Sequence, residues 1–483
     1  MKQLDEKNSR IFKKKRQKSS NREIIILTYL FVGIFVGLLV YFGYFIQVDS
    51  SNVINNPYNK RQDLLAERVV RGKILGNNGE VLAETKTDKK GNEYRYYPYD
   101  NIFCHIVGRF TNGKTGIELS QNINLLTSSE NPLFAMLKEM QGEKNIGDNV
   151  VTTLDVNLQK IAYEALGSRK GAVVALEPST GKILVMVSKS DYNPNTAASN
   201  WDSLVEDSFD NSPLLNRATQ GLYPPGSTFK ILTALEYIRE NGDYKDYTYH
   251  CTGSDIFQGI KINCYNNKVH GEEDITKSFA KSCNSSFANI GMTLNLKSFR
   301  NLCESFLFNR DLPTDIPYSK SSFELNKASN LDEVPQTAIG QGNTQITPLH
   351  NALITATIAN GGVMMEPYVV DHLERYDKTI VKQYHSEEYA TLLNEDEVKA
   401  LKKMMKEVVT DGTATALSGQ SYTAAGKTGS AEFDSNKSSH AWFVGYAPTK
   451  NPKIVVSIIV EGAGTGSEYA VPIAKKIMDA YLD

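Results

Sequence analysis

The chain has 483 residues, 41% hydrophobic and 22% charged, which is too long for one comfortable domain and ample for a sizeable core. Its net charge of −2 is unevenly spread: nine Lys/Arg against Asp5 and Glu6 in the first 22 residues leave about −9 for everything after. No basic face remains downstream to meet phosphates, so nucleic acid is excluded as the main partner.

Taken in order, residues 1–23 form a basic tail containing Lys13, Lys14, Lys15, Arg16 and Lys18. Residues 24–46 follow without a single charge, long enough to cross the hydrocarbon once and ending in aromatic Tyr41, Phe42, Tyr44 and Phe45. The positive-inside rule keeps the tail in the cytoplasm and puts the remainder outside, as a single-pass membrane protein. Residues 47–148 are rich in Asn, Gly and Tyr, with strand-like pieces at 73–75, 81–83 and 102–107, and read as a small β-rich pedestal. From 149 the pattern changes. Thr152-Thr153-Leu154-Asp155 can cap a helix carrying Leu158, Ile161, Ala162, Ala165 and Leu166; strands follow at 171–176 and 182–188, joined by Pro178-Ser179-Thr180-Gly181. Helices dominate from 227 to about 410, one of them capped by Asn394 with Glu397 three residues on. Three strands at 424–433, 441–446 and 454–460 and a closing helix over 469–482 complete the chain. Strands, then helices, then strands again predict an α+β domain over 149–483. One antiparallel sheet is built from both ends of that domain, with helices on its faces.

Three short constellations carry chemistry. In Tyr223-Pro224-Pro225-Gly226-Ser227-Thr228-Phe229-Lys230 the prolines and glycine forbid a helix before Gly226, and an apolar stripe of Ile231, Leu232, Ala234, Leu235 and Ile238 begins just after. Ser227 then sits among the free N–H groups of a helix start, with Lys230 one turn away as a base whose pKa burial would lower. The same spacing recurs at Ser179…Lys182 and Ser278…Lys281, in a hairpin turn and a helix body, so it does not suffice alone. Ser282-Cys283-Asn284 offers a hydroxyl to relay a proton and an amide to hold a substrate amide; a helix cap or turn is the competing use. Lys427-Thr428-Gly429-Ser430 lies in a predicted strand, where an ammonium and a hydroxyl can hold a carboxylate and Gly429 lets a backbone approach. Gly426-Lys427-Thr428 is no P-loop, because Ser421 stands where its first glycine belongs and a strand follows. No Gly-x-Ser-x-Gly elbow surrounds any serine. The five cysteines contain no Cys-x-x-Cys pair and the seven histidines lack ligand spacing, which argues against a metal. Cys251 and Cys264 bracket a twelve-residue loop and are either bonded or two neighbouring thiols.

Ser-x-x-Lys, Ser-x-Asn and Lys-Thr-Gly in this order form the set found in penicillin-binding proteins and serine β-lactamases. The chain resembles the class B branch of the penicillin-binding proteins, of the penicillin-binding protein A or division type. Further resemblance lies in Tyr223-Pro224-Pro225-Gly226 before the serine, Gly171–Gly181 at the opening strands, His440–Pro448 after Lys-Thr-Gly, and Arg71-Gly72-Lys73-Ile74, 79–83 and Gly116-Ile117-Glu118 in the pedestal. Leu75-Gly76 departs from the family's usual Asp-Arg. The resemblance implies a five-stranded antiparallel sheet flanked by helices and a peptidoglycan D,D-transpeptidase that cross-links stem peptides and is acylated by β-lactams. Ser227 is the implied nucleophile, Lys230 its base, and Ser282 the proton relay. Asn284, Lys427, Thr428, Gly429 and Ser430 bind substrate, the N–H groups of Ser227 and Ser430 form the oxyanion hole, and no cofactor takes part. The interval 47–148 is too short for the glycosyltransferase of class A members, so cross-linking without polymerisation is expected. A polytopic glycan polymerase of the shape, elongation, division and sporulation family is the implied partner. D,D-carboxypeptidase, serine β-lactamase and non-catalytic β-lactam sensor are the competing activities; a class A β-lactamase would need its deacylating glutamate near Glu304, where the spacing is wrong.

Overall fold

The structure, a computed structural model, describes residues 2–46, 61–207, 211–242, 244–432 and 438–483. Two units form, Met1–Leu64 and Leu65–Asp483. The first contains helix α1 (Lys2–Tyr44), whose stretch Arg22–Tyr44 is long and apolar enough to cross a membrane. Its side chains from Ile24 to Val40 meet no protein core. Residues 47–60, the start of the expected pedestal, lie outside the described residues.

The second unit opens on β1 (Ile74–Leu75), β2 (Val81–Thr87), β3 (Glu93–Tyr96) and β4 (Asn149–Thr152). These join Val370–Glu374 and Ile380–Gln383 in a six-stranded sheet, so the sheet runs across residue 148 and recruits chain from far downstream. β4 pairs with β1 in parallel and with Val370–Glu374 antiparallel. The expected strand at 102–107 is instead a 3-10 turn, Asp100–Phe103, followed by further turns. Phe103, Cys104, Ile106 and Val107 are all buried, and the Ile102 carbonyl accepts from Gln159 Nε2 (2.9 Å). A short, mostly apolar run fits a buried turn as well as a strand, and periodicity does not separate them.

The pedestal motifs meet in one polar knot. Arg71 Nε donates to Glu118 Oε2 (2.8 Å), Arg95 Nε to Glu118 Oε1 (2.6 Å), and Arg71 also reaches Asn122 Oδ1 (2.6 Å). Burial alone would push the Glu118 carboxyl up, but Arg95 and Arg71 outweigh it and hold it below the usual range.

Next come α2 (Val156–Leu166, capped by Asp155), β5 (Gly171–Leu176) and β6 (Ile183–Lys189), then α3 (Lys230–Glu240). The predicted helical stretch is interrupted by strands: early on by β7 (Thr248–Cys251), β8 (Ser254–Phe257), β9 (Ile260–Asn263) and β10 (Gly271–Asp274), and later by Val363–Met365, Val370–Glu374, Ile380–Gln383 and Glu388–Thr391. β7 pairs with β10 and β8 with β9, making a small lobe of two ladders. Most of its residues are exposed, so no apolar alternation announced it. Helices α4 (Ile275–Ala280), α5 (Asn284–Thr293), α6 (Pro348–Ala359) and α7 (Glu395–Thr410) follow, the last with the Asn394–Glu397 capping box. Strands β11 (Ala425–Ala431), β12 (His440–Ala447) and β13 (Ile454–Val460) and helix α8 (Val471–Leu482) close the chain. The expected first late strand ends earlier than 433, and Phe433 lies outside the described residues.

The central sheet has the order β11-β12-β13-β5-β6, antiparallel throughout. It is the predicted sheet, assembled from both ends of the domain. Every residue of β5, β12 and β13 is buried, which requires cover on both faces because successive side chains alternate. α6 packs on β5, β12 and β13, while α8 packs on α2, β12 and β13. β11 is left as an open edge, and the turn carrying Ser227 packs against it.

Candidate active site

The turn carrying Ser227 is locked from several sides. Tyr223 bridges to Ile346, and the Pro224 carbonyl accepts from Trp442 Nε1 (3.1 Å). Gly226 has φ +53°, and its N–H donates to the Gly340 carbonyl (2.8 Å). A Cβ there would stand 2.9 Å from the Ser430 carbonyl oxygen, so only glycine lets this turn sit so close to β11. The 3-10 turn Gly226–Phe229 runs directly into α3, and Lys230 is the first residue of that helix. Phe229 anchors the turn in a ring cluster with Phe299, Phe308 and Phe323. Ile231, Leu232, Ala234 and Leu235 bury the predicted face of the helix.

Lys230 is fully buried. Its Nζ donates to Asn284 Oδ1 (2.7 Å) and to the Ser282 carbonyl (2.9 Å), with Ser282 Oγ at 3.5 Å. Burial drives its pKa down to about 8, with the neighbouring thiols Cys283 and Cys264 and then Glu273 opposing the shift. Among the described residues Ser227 Oγ makes no hydrogen bond, a common state of a nucleophile before substrate arrives. Ser282 lies where α4 ends, with φ +59°, and the Cys283 N–H donates back to the Ser278 carbonyl (2.9 Å). Cys283 then caps α5, its Sγ accepting from the Ser286 N–H. Cap and chemical site are therefore the same three residues. The Asn284 amide donates to the Asn263 carbonyl at the end of β9 (2.9 Å).

Lys427 rises from β11, fully buried, and its Nζ donates to Ser282 Oγ (2.9 Å) and the Thr428 carbonyl (3.0 Å). Burial first, and the Lys230 charge second, push its pKa well below the ordinary lysine value. Thr428 Oγ1 hydrogen-bonds Thr413 Oγ1, a partner that no motif pointed to. The Ser430 carbonyl faces the Gly226 turn, and a strand residue's N–H points to the same edge as its carbonyl, so the Ser430 amide also lies on the open edge. A cleft of about 690 Å³ is lined by Ser227, Ser282, Asn284, Thr428, Gly429 and Ser430. A second hollow of about 820 Å³ extends it, sharing Asn263, Asn284, Gln341 and Glu432.

All eight predicted site residues thus gather at one place: six line the cleft, and the two lysines stand behind it on Ser282. Ser179 and Ser278, the other serines at Ser-x-x-Lys spacing, lie in the β5–β6 turn and in α4, outside the cleft lining. Glu304 is held by Arg300 (2.8 Å) and is not among the cleft residues. One expectation fails. The cysteine and histidine spacing argued against a ligand set, yet Cys251, Cys264, His270 and Cys283 converge, with their ligand atoms all within 4.8 Å of one another. The small lobe creates that convergence, and its short, mostly exposed strands were illegible. Cys251 and Cys264 are both free thiols.

A family model described as the penicillin binding protein transpeptidase domain matches residues 171–479, and one described as the penicillin binding protein A dimerisation domain matches residues 71–150. The peptidoglycan D,D-transpeptidase PbpA of Mycolicibacterium smegmatis is 30% identical over 464 residues, covering 88% of this chain and 92% of its own. The peptidoglycan D,D-transpeptidase MrdA of Haemophilus influenzae is 28% identical, covering 88% of this chain and 70% of its own. Among solved structures, penicillin-binding protein A of M. tuberculosis as its imipenem acyl-enzyme complex superposes with a TM-score of 0.79 at 29% identity, covering 87% of this chain and 100% of that one.

Proposed function

This chain belongs to the penicillin-binding protein transpeptidase family, and from that membership we propose that it is a serine-type peptidoglycan D,D-transpeptidase and a target of β-lactam acylation. The observation that carries the reading is the meeting of Ser227, Lys230, Ser282, Asn284, Lys427 and Thr428 around one cleft beside an open strand edge.

Ser227 Oγ attacks the penultimate D-Ala carbonyl of a stem peptide laid along β11. Neutral Lys230 takes its proton. The oxyanion is held by the Ser227 and Ser430 N–H groups, a contribution of ~3 kcal/mol per donor. Ser282, hydrogen-bonded to Lys427 and near Lys230, passes a proton to the leaving D-Ala amine. Asn284 and Gly429 receive the substrate backbone, and Lys427 with Thr428 attracts its terminal carboxylate. An amine of a second stem peptide then takes the acyl group from Ser227, which becomes free again.

The apolar helix Arg22–Tyr44 supports a single-pass anchor, and the basic residues before it support a cytoplasmic N-terminus with the catalytic domain outside. Residues 47–148 act as the pedestal and 149–483 as the catalytic domain. A polytopic glycan polymerase of the shape, elongation, division and sporulation family, working within the same membrane, supplies the strands to be cross-linked. Incubating the full-length protein with lipid-linked, pentapeptide-bearing glycan tests the activity. D-Ala release accompanied by cross-linked stem-peptide dimers, both lost in Ser227→Ala, is the expected outcome; D-Ala release without cross-links would make the protein a carboxypeptidase instead.

A further inference from the structure

The small lobe and the Ser282-Cys283-Asn284 turn bring four metal-ligand side chains to one point. Cys251 ends β7, Cys264 follows β9, His270 precedes β10, and Cys283 joins α4 to α5. Cys251 Sγ lies 3.7 Å from Cys264 Sγ and 3.4 Å from His270 Nδ1, and Cys264 Sγ lies 3.7 Å from Cys283 Sγ. A tetrahedral zinc site with Zn–S ~2.3 Å and Zn–N ~2.0 Å needs S···S edges of ~3.8 Å and S···N edges of ~3.5 Å. Three of the six edges agree with this within about 0.2 Å, and all four ligand atoms lie within 4.8 Å of one another. A disulfide needs its sulfurs at ~2.05 Å, and none of these pairs approaches that.

The surroundings fit bound thiolates. The Gly253 N–H donates to Cys251 Sγ (3.4 Å) and the Ser286 N–H to Cys283 Sγ (3.4 Å), while Ser285 Oγ lies 3.5 Å from Cys264 Sγ. Such second contacts orient the ligands and favour the charged sulfur. The three thiols are buried, and His270 is half-buried. Cys264 and His270 line the wall of the catalytic cleft, which gives an ion a way in.

We propose that Cys251, Cys264, His270 and Cys283 bind one Zn²⁺ that fastens the small lobe to the Ser282-Cys283-Asn284 turn. Three thiolates and one imidazole select zinc over harder cations, and four protein ligands close the coordination sphere, so the ion is structural and activates no water. Binding releases the thiol protons and changes no oxidation state. Cys283 lies between Ser282 and Asn284, and Cys264 adjoins Asn263, whose carbonyl holds the Asn284 amide. The metal therefore fixes both sides of the turn and keeps Ser282 in its left-handed conformation. Cys283 is a positioning residue in this scheme. The positioning claim rests on the proposed role of Ser282; the zinc claim does not.

Elemental analysis of the full-length protein, purified in detergent without chelator or reductant, tests the site directly. About one zinc per chain is expected, with five thiols titrating once it is denatured and stripped. Cobalt substitution should give the strong near-ultraviolet absorption of thiolate ligation. His270→Ala should bind zinc more weakly and acylate Ser227 with penicillin at least ~10-fold more slowly, with both restored in His270→Cys. Metal-free protein with only three titrating thiols would replace the site with a disulfide, and metal-free protein with five would leave it as packed cysteines; either overturns the proposal. Zinc present with acylation unchanged in His270→Ala would overturn the positioning role. Zinc present in a wild-type protein that penicillin never acylates would instead count against the proposed function.

Discussion

Lys230 carries the electrostatic weight of the site. Fully buried and sharing Ser282 with a second buried lysine, it has a pKa of about 8 instead of the usual lysine value, with desolvation as the chief cause. With the neutral amine as the proposed base, the active fraction grows as pH rises through that value and levels off above it. The rate of acylation by penicillin, followed from pH 6 to 10, should climb about tenfold per unit below ~8 and then flatten. A flat profile, or a rise that continues to the ordinary lysine range, would remove Lys230 from the role of base. The helix start at Ser227–Lys230 was legible in the sequence because Pro-Pro-Gly forces a turn before it, although the Ser-x-x-Lys spacing alone did not single it out. Thr413 was not. Its contact with Thr428 joins residues on two different elements, and a lone threonine carries no pattern.

At the level of elements, two connections hold the machinery in register. β11 offers its open edge to the Ser227 turn, and the α4–α5 junction offers Ser282 to both lysines. Strands β5 and β13 of the central sheet were readable because they are short, almost wholly apolar runs. The lobe of β7–β10 was missed because four-residue strands with exposed faces show neither period. The run at 102–107 misled for the opposite reason, being apolar apart from His105 but wound into turns, with the Ile102 carbonyl taken by Gln159. In the pedestal, Arg71 and Glu118 belonged to motifs recognisable in sequence, but their joint dependence on Arg95 emerged only in three dimensions. Glu118→Ala leaves two buried guanidinium groups without their shared carboxylate and should cost about 3–5 kcal/mol. Thermal unfolding followed by circular dichroism would check it, and a melting temperature within a degree of wild type would show that the knot contributes nothing. Ser227 acylation in the folded fraction should be unaffected.

On the scale of the whole molecule, beyond an apolar N-terminal helix, the unit Leu65–Asp483 carries both a six-stranded and a five-stranded sheet. The six-stranded sheet borrows strands from residues 370–383, so pedestal and catalytic domain share an element that a linear division at 148 would cut. Linear order hides such sharing, which is why the boundary read from composition marks a change of pattern and not a break in packing. In the proposed reaction Ser227 alone is acylated. Labelling the full-length protein with fluorescent penicillin and mapping the modified peptide by mass spectrometry tests it most directly. The adduct should fall on the peptide containing Ser227 and vanish in Ser227→Ala, whereas an adduct on any other residue, or labelling that survives Ser227→Ala, would contradict the account.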